Sequence, residues 1–220
     1  MSYNVTDFNM TNEIQMHLLE TPNSGASYSS GLYTSTEVAA AINYRLRDFY
    51  KRTGCVTKRV TDITTNANTT DQNMPNDVID IIRVAYPNSS GTVSSILPGS
   101  ELEQDLFQTD TYGSNAAIDV PQTYTLDVSG VLQLNMLPPP NASRTIDYVY
   151  VPQPTTLPTT PDGTLIECPT DFTPYIKYGA LATLFGKSGE TYDPVRAQLC
   201  EQIYELGVQL ARQWVSGNLD

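Results

Sequence analysis

Two stretches at opposite ends of the chain decide its fold: residues 34–53, TSTEVAAAINYRLRDFYKRT, and residues 193–216, DPVRAQLCEQIYELGVQLARQWVS. The first opens with a capping box, in which Thr34 is the N-cap and Glu37 returns a hydrogen bond to it. Apolar residues then recur every three or four positions and share one helical face; they are Val38, Ile42, Leu46 and Phe49. Gly54 supplies a stop signal. We therefore expect a helix over about 34–53.

The rear of the chain predicts two more helices, over about 173–186 and 193–216. Thr173-Pro174 and Asp193-Pro194 each combine an N-cap residue with a first-turn proline. The last helix carries a long apolar stripe, made of Val195, Leu199, Ile203, Leu206, Leu210 and Trp214. Because a single amphipathic helix is not stable alone, we expect front and rear helices to pack together and to bury Leu206 and Leu210.

The sequence between these helices is typical of β-strands and turns. Strands are expected over 56–65, 78–86 and 145–151, and residues 124–136 predict a hairpin around Ser129-Gly130. In the 145–151 strand, Ile146, Tyr148 and Tyr150 share a face. Short helices are expected over 12–20 and 101–108, and the prolines of 152–170 predict a stiff, extended return.

These elements predict an α+β fold, an antiparallel α-helical bundle with an inserted antiparallel β-domain. We expect an N-terminal arm over residues 1–33 and a helical bundle domain made of 34–54 and 170–220. Residues 55–169 would form the inserted β-rich domain. The ends of the chain must meet if their apolar stripes are to be buried.

The composition argues against several classes of function. The net charge of −12 makes tight binding of nucleic acid unfavourable, although an acidic surface could line a path for DNA or only keep the protein soluble. Cys55, Cys168 and Cys200 lack metal-ligand spacing and are expected to be reduced thiols of a cytosolic protein. We find no signal peptide, no membrane span and no phosphate-binding loop, and we expect no cofactor.

Catalytic residue patterns are weak. His17 is the only histidine and is far in sequence from any cysteine, so a nucleophilic pair would require chance proximity. Asp77 with Asp80 could be imagined as an acid–base pair, as could the carboxylates of Glu101, Glu103 and Asp105. A solvated surface is the better interpretation, because the last three lack the glycine and spacing of a calcium loop. We therefore predict that the protein is not an enzyme.

Half of the twelve basic residues lie between positions 45 and 59; they are Arg45, Arg47, Lys51, Arg52, Lys58 and Arg59. Three interpretations remain open. The cluster could be a solvated face in which Asp48 pairs with Arg45 or Arg52, a contact with an acidic partner such as an identical subunit, or a DNA contact. Trp214 is a further candidate for a protein contact.

Read in order, several segments resemble the head-to-tail adaptor (head completion, tail tubular) proteins of tailed bacteriophages. They are Glu37-Val38 with Ile42-Asn43, Phe49 and Thr53-Gly54; Met74 to Val84; Pro121 to Tyr124; Leu134 to Pro140; Tyr148 to Pro152; and Pro169 to Phe172 with Tyr178 to Ala180. The resemblance covers about 34–212 and rests on the order and spacing of the segments. Position 74 is Met where the family pattern leads us to expect Leu.

The resemblance implies a structural virion protein, made in the host cytoplasm and located at the head–tail interface. It implies a ring of twelve copies, which docks beneath the portal protein, continues the DNA channel and meets a tail or nozzle protein. DNA would pass through without specific binding. Two alternatives remain: a tail-associated glycan or peptidoglycan hydrolase, which would need two carboxyl groups converging in a cleft, and a tail or fibre β-structural protein.

Overall fold

The computed structural model describes residues 5–18, 32–72, 74–87, 91–100, 118–127, 133–189 and 192–217. These residues form four helices: α1 (Asp7–His17), α2 (Ser35–Thr53), α3 (Thr173–Phe185) and α4 (Pro194–Ser216). Their strands are β1 (Lys58–Thr64), β2 (Asp71–Gln72), β3 (Val78–Pro87), β4 (Val93–Pro98), β5 (Thr123–Asp127), β6 (Gln133–Leu137) and β7 (Thr145–Pro152). The chain divides into two compact units, one made of Met1–Val56 with Gln153–Asp220 and one of Thr57–Pro152.

Helix α2 confirms the helix predicted from its capping signals. The Thr34 hydroxyl accepts a hydrogen bond from the Glu37 backbone N–H at 3.3 Å, and a Glu37 carboxylate oxygen accepts from the Thr34 N–H at 2.8 Å. Gly54 ends the helix in the left-handed conformation, with φ of 61°. The predicted apolar face is buried; its residues are Val38, Ile42, Leu46 and Phe49. Local sequence signals therefore explain where this helix begins and ends.

Helix α3 lies among the other helices and contacts α1, α2 and α4. Its N-cap is Phe172, so the predicted N-cap at Thr173 is wrong. The Thr173 hydroxyl instead donates to the carbonyl of Pro169 at 3.4 Å. Ile176, Ala180 and Leu181 are almost completely buried, as expected for a helix surrounded by others.

Helix α4 buries a different face from the one predicted. Residues with small or aromatic side chains face the other helices; they are Cys200, Tyr204, Gly207, Val208 and Ala211. The expectation that Leu206 and Leu210 are buried is wrong, because Leu206 is 50% exposed and Leu210 is only half-buried. Small residues allow closer backbone approach than leucine does, which explains the choice of face.

Helix α1 corresponds to the helix expected over 12–20, but it begins earlier. The hydroxyl of Thr6 accepts a hydrogen bond from the Asn9 N–H at 3.2 Å and caps the helix. Met10 and Ile14 are buried, and the Asp7 carboxylate accepts from the N–H groups of Asp162 and Gly163. This part of the predicted N-terminal arm is therefore packed against the rest of its unit. The loop over 22–31 and the short helix expected over 101–108 lie outside the described residues.

The strands of the second unit form one sheet in the order β1-β7-β3-β4-β5-β6-β2. The strands predicted over 56–65, 78–86 and 145–151 are confirmed as β1, β3 and β7, and β5 and β6 form the predicted antiparallel pair. Ile146, Tyr148 and Tyr150 share a buried face as predicted. They join a core with Ile81, Val84, Tyr86, Ile96, Tyr124, Leu134 and Met136.

The predicted fold class, an antiparallel helical bundle with an inserted antiparallel β-domain, is wrong. The described residues form a mixed seven-stranded sheet with four helices, in which β4 and β5 run parallel. A parallel pair requires a crossover of a dozen or more residues, and the chain between Pro98 and Thr123 is long enough to provide one. Strands β2 and β4 were not predicted, because β2 has only two residues and β4 has a single buried side chain. The predicted bundle also required the apolar stripe of α4 to be buried, whereas Val195, Leu199 and Leu206 are exposed.

Candidate protein-contact surface

Arg45 projects from α2 towards α3 and α4, where its own chain supplies its partners. Its Nε donates to the Thr183 hydroxyl at 2.8 Å, and Nη1 donates to Oε1 of Glu201 at 2.8 Å. The guanidinium carbon lies 5.0 Å from the centre of the Tyr204 ring. With a side chain only 13% exposed, Arg45 is a stabilising contact between helices.

Arg52 makes a second link between α2 and α4. Its guanidinium donates to both carboxylate oxygens of Glu205, at 2.6 and 2.5 Å. It also pairs with Asp48 at 3.4 Å, which confirms one pairing expected from the sequence. The hydrogen bonds with Glu205 raise the pKa of Arg52, and the same contact lowers the pKa of Glu205. Both groups are therefore held in their charged forms.

Tyr204 lies between these two ion pairs. Its hydroxyl donates to Oδ2 of Asp48 at 2.7 Å and lies 3.2 Å from the carbonyl oxygen of Arg45. Burial raises the pKa of Tyr204, and the hydrogen bond to Asp48 raises it further. The phenol thus stays neutral, and it ties the polar groups of α2 to the buried face of α4.

The opposite side of α2 carries cations without such partners. Ala40, Tyr44, Arg47 and Lys51 follow one another at spacings of four, three and four residues and are all exposed. We call these four residues the cationic face of α2. Neither Arg47 nor Lys51 forms an ion pair or hydrogen bond with any residue that the structure describes. Of the four candidate cations on α2, these two remain available to a partner.

Lys58 and Arg59 belong to the second unit, so the two units divide the predicted basic cluster. On the sheet, Lys58 Nζ lies 3.1 Å from Oδ2 of Asp77. Arg59 donates to both oxygens of Asp147, at 2.9 and 2.7 Å. The hydrogen bonds from Arg59 lower the pKa of the Asp147 carboxyl. Arg59 therefore pairs across neighbouring strands, and Lys58 pairs with a residue just before β3. A contact with another protein remains a prediction for both cations.

Trp214 is half-buried near the end of α4. Its ring centre lies 5.9 Å from that of Phe172, in an edge-to-face arrangement. The tryptophan therefore packs partly on its own chain and keeps an accessible portion. A role in contacting a neighbouring chain remains a prediction.

The cysteines and the histidine are placed in ways the sequence did not reveal. Cys55 and Cys168, more than a hundred residues apart, share a hydrogen bond that lowers the pKa of Cys55 and raises that of Cys168. Cys200 is buried in α4. The His17 ring lies 5.9 Å from that of Tyr178. Within the described ranges, no three or more His, Cys, Asp or Glu side chains form a group that could hold a metal ion.

Sequence reasoning missed the exposed apolar face of α4, which we define as Val195, Leu199, Ile203, Leu206 and Leu210. Val195, Leu199 and Leu206 are 76%, 58% and 50% exposed. A signal was present in the sequence, because Gly207 and Ala211 lie about 100° round the helix from Leu206 and Leu210, on a side where small residues permit close packing. None of the described helices combines the length and apolar character needed to cross a membrane.

The family described as SU10 adaptor protein matches residues 13–218 of this chain. The match covers the last five residues of α1, the other three helices and every strand. No curated relative matches the chain.

Proposed function

Because the chain belongs to the SU10 adaptor protein family, a family of phage adaptor proteins, we propose that it forms an adaptor ring joining the capsid portal to the tail. The family match over nearly the whole chain is the observation that carries this proposal. Membership supports a structural role in the phage particle and association with other head or tail proteins. The ring continues the DNA channel and holds twelve copies, one for each portal subunit.

The charge distribution supports this role. A net charge of −12 disfavours a deep binding minimum for DNA along a channel. Within the described residues, most cations of the predicted cluster are neutralised by their own chain, whereas Arg47 and Lys51 are not. In the ring, one surface contacts the portal and another contacts a tail or nozzle protein.

Native mass spectrometry of the chain mixed with its cognate portal tests the proposal. We expect an assembly that carries as many copies of this chain as of the portal subunit, because a closed ring that contacts every portal subunit in the same way has one copy for each of them. The portal alone and the chain alone are the controls. Recovery of only a stable complex between one chain and one portal subunit, or no complex at all, would contradict the proposal.

A further inference from the structure

The apolar face of α4 is an uncovered surface on the longest described helix. Its residues follow at spacings of four, four, three and four, so they lie in one line along the helix. The contacts of α4 with α2 and α3 use the other side, around Tyr204 and Val208. Exposure of 76% at Val195 and 58% at Leu199 leaves much apolar area in water, an arrangement typical of interaction sites.

This face also lacks charge. Gln198, Gln202 and Gln209 border it on one side, and Arg196 borders it on the other side near the start of the helix. Every charged residue of α4 has a partner in its own chain. Arg196 pairs with Asp193, Glu201 with Arg45 and Glu205 with Arg52. Arg212 donates a hydrogen bond to the backbone carbonyl of Arg52. Two copies with a net charge of −12 repel each other. Repulsion is weakest where a copy presents uncharged surface, so this face suits approach by a second copy.

The cationic face of α2 complements it. Tyr44 is 63% exposed and supplies an aromatic surface, while the stems of Arg47 and Lys51 can lie over leucine and glutamine side chains. Beyond the glutamines of α4 lie the carboxylates of Glu201 and Glu205, whose side chains are each 39% exposed. In a contact between these two faces, Arg47 and Lys51 of one copy would lie over an apolar strip of the next. Beside that strip, on one side, are carboxylates that Arg45 and Arg52 pair but leave partly exposed.

We propose that the apolar face of α4 in one copy of this chain docks on the cationic face of α2 in the next copy. The two faces consist of different residues, so the contact is heterologous and repeats from copy to copy. This inference deepens the proposed function and rests on it, because closure of the repeated contact into a ring is part of that function. It assigns the two surfaces through which neighbouring subunits of the adaptor meet.

The size of the faces determines how strong the contact is. From Val195 to Leu210 the strip is about 22 Å long, at about 1.5 Å per residue. One helix face provides less than the roughly 800 Å² per partner of a stable complex. The free chain therefore self-associates weakly and reversibly, and full assembly requires additional contacts.

Sedimentation velocity over a range of concentrations tests the contact. Leu206→Arg places a guanidinium against Arg47 and Lys51, and Tyr44→Glu places a carboxylate against the apolar face. Each variant alone should self-associate at least tenfold more weakly than the wild type. Both sites are at least half exposed, so circular dichroism and melting temperature should stay at wild-type values. Leu97→Arg, at a site 65% exposed on β4, is the matched control and should associate like the wild type.

Mixing the two variants distinguishes a heterologous contact from pairing of two α4 faces. The Tyr44→Glu variant retains an intact α4 face, and the Leu206→Arg variant retains an intact α2 face. Their mixture should give a one-to-one dimer and nothing larger. Three results would overturn the proposal. The Tyr44→Glu variant alone could self-associate as strongly as the wild type, or Leu97→Arg could weaken self-association as much as the two test variants do. The wild-type chain could also stay monomeric at high concentration.

The same variants separate this inference from the proposed function. Wild-type chain that self-associates as described but does not bind portal would refute the adaptor function and leave the contact standing. Leu206→Arg chain that assembles on portal as completely as the wild type would refute the contact and leave the function standing. Native mass spectrometry with portal, run beside sedimentation, provides both readings.

Discussion

Individual glycines allow α3 and α4 to approach closely. A Cβ built on Gly207 would lie 2.3 Å from the Cβ of Tyr175 and 2.2 Å from its Cγ, and one built on Gly179 would lie 2.7 Å from Cδ2 of Tyr204. The contact at Gly207 involves Cβ and Cγ of Tyr175, and the Cβ atom cannot move unless the backbone moves with it. Each tyrosine thus fills the space that a glycine leaves on the facing helix.

We expect Gly207→Ala to destabilise the protein by about 1–3 kcal/mol, because α3 and α4 must separate or Tyr175 must leave its rotamer. The expected sign is informative, since alanine is favoured over glycine by about 1 kcal/mol in a helix without such a contact. Urea unfolding measures the change. Gln209→Ala, at an exposed position of the same helix, should change stability by less than about 0.5 kcal/mol. A stabilised Gly207→Ala variant would contradict the packing.

A second residue-scale feature is the environment of Glu37. Hydrogen bonding to Lys187, followed by bonds from Thr34, lowers the pKa of the Glu37 carboxyl from 4.5 to about 2. A carboxyl with a lowered pKa in the folded state stabilises that state above its ordinary pKa. This contribution is lost as the pH falls through the folded-state value.

The stability difference between wild type and Glu37→Gln should therefore be constant above about pH 5, shrink as the pH falls, and vanish near pH 2. Urea unfolding midpoints across this range measure it. Lys187→Met should reproduce much of the loss at neutral pH, because Lys187 is the main cause of the shift. A difference that grows towards low pH would show that Glu37 is not a stabilising anion.

At the scale of elements, one part of the α4 surface packs against and pairs with the other helices, and its apolar face is exposed. Tyr204, Val208 and Ala211 pack against neighbouring helices, while Glu201 and Glu205 bind the arginines of α2. The three leucines of the helix lie largely outside these contacts. Hydrophobic periodicity alone therefore identifies this helix correctly but assigns the wrong face to the core.

A pair of leucine truncations tests which face of α4 is buried. Leu206→Ala should cost less than about 0.5 kcal/mol of unfolding free energy, because the side chain is half exposed. Leu181→Ala, in α3 and 1% exposed, should cost about 2–5 kcal/mol through lost burial and a residual cavity. Equal costs for the two variants, measured by urea unfolding, would mean that the apolar face of α4 is part of the core.

At the scale of the whole molecule, the distribution of charge is the main functional feature. Arg45 and Arg52 hold α2 to α4, and Arg59 holds neighbouring strands together. A reversal of Arg45 or Arg52 would therefore weaken the fold as well as any interface. Arg47 and Lys51 are the better probes of external contacts, since both are exposed on α2.

We expect the wild-type chain to bind duplex DNA weakly at both low and moderate salt. Duplex DNA carries one charge per about 1.7 Å, and a protein with a net charge of −12 repels it. Reversing Arg47 and Lys51 to Glu should change filter binding little while reducing self-association. Tight, steeply salt-dependent binding that the reversal abolishes would mean that the cationic face of α2 contacts DNA instead of protein.

The sequence by itself determined features that depend on neighbouring residues. Capping at Thr34 and Asp193, apolar periodicity in α2 and alternation in β7 are local signals, and the helices and strands they predict are present. The acidic balance, and with it the argument against DNA binding, is also a property of composition. The resemblance to adaptor proteins was likewise carried by segments spread along the chain, and the family match supports it.

Only the tertiary structure decided which surfaces meet. The parallel pairing of β4 with β5, the buried face of α4 and the neutralisation of Arg52 by Glu205 join residues distant in sequence, up to 153 positions apart in the last case. Such pairings depend on packing between helices or between strands, which local periodicity does not encode. The same holds for the candidate contact surface. The basic cluster is visible in the sequence, but only the structure shows that the other four cations pair within the chain while Arg47 and Lys51 do not.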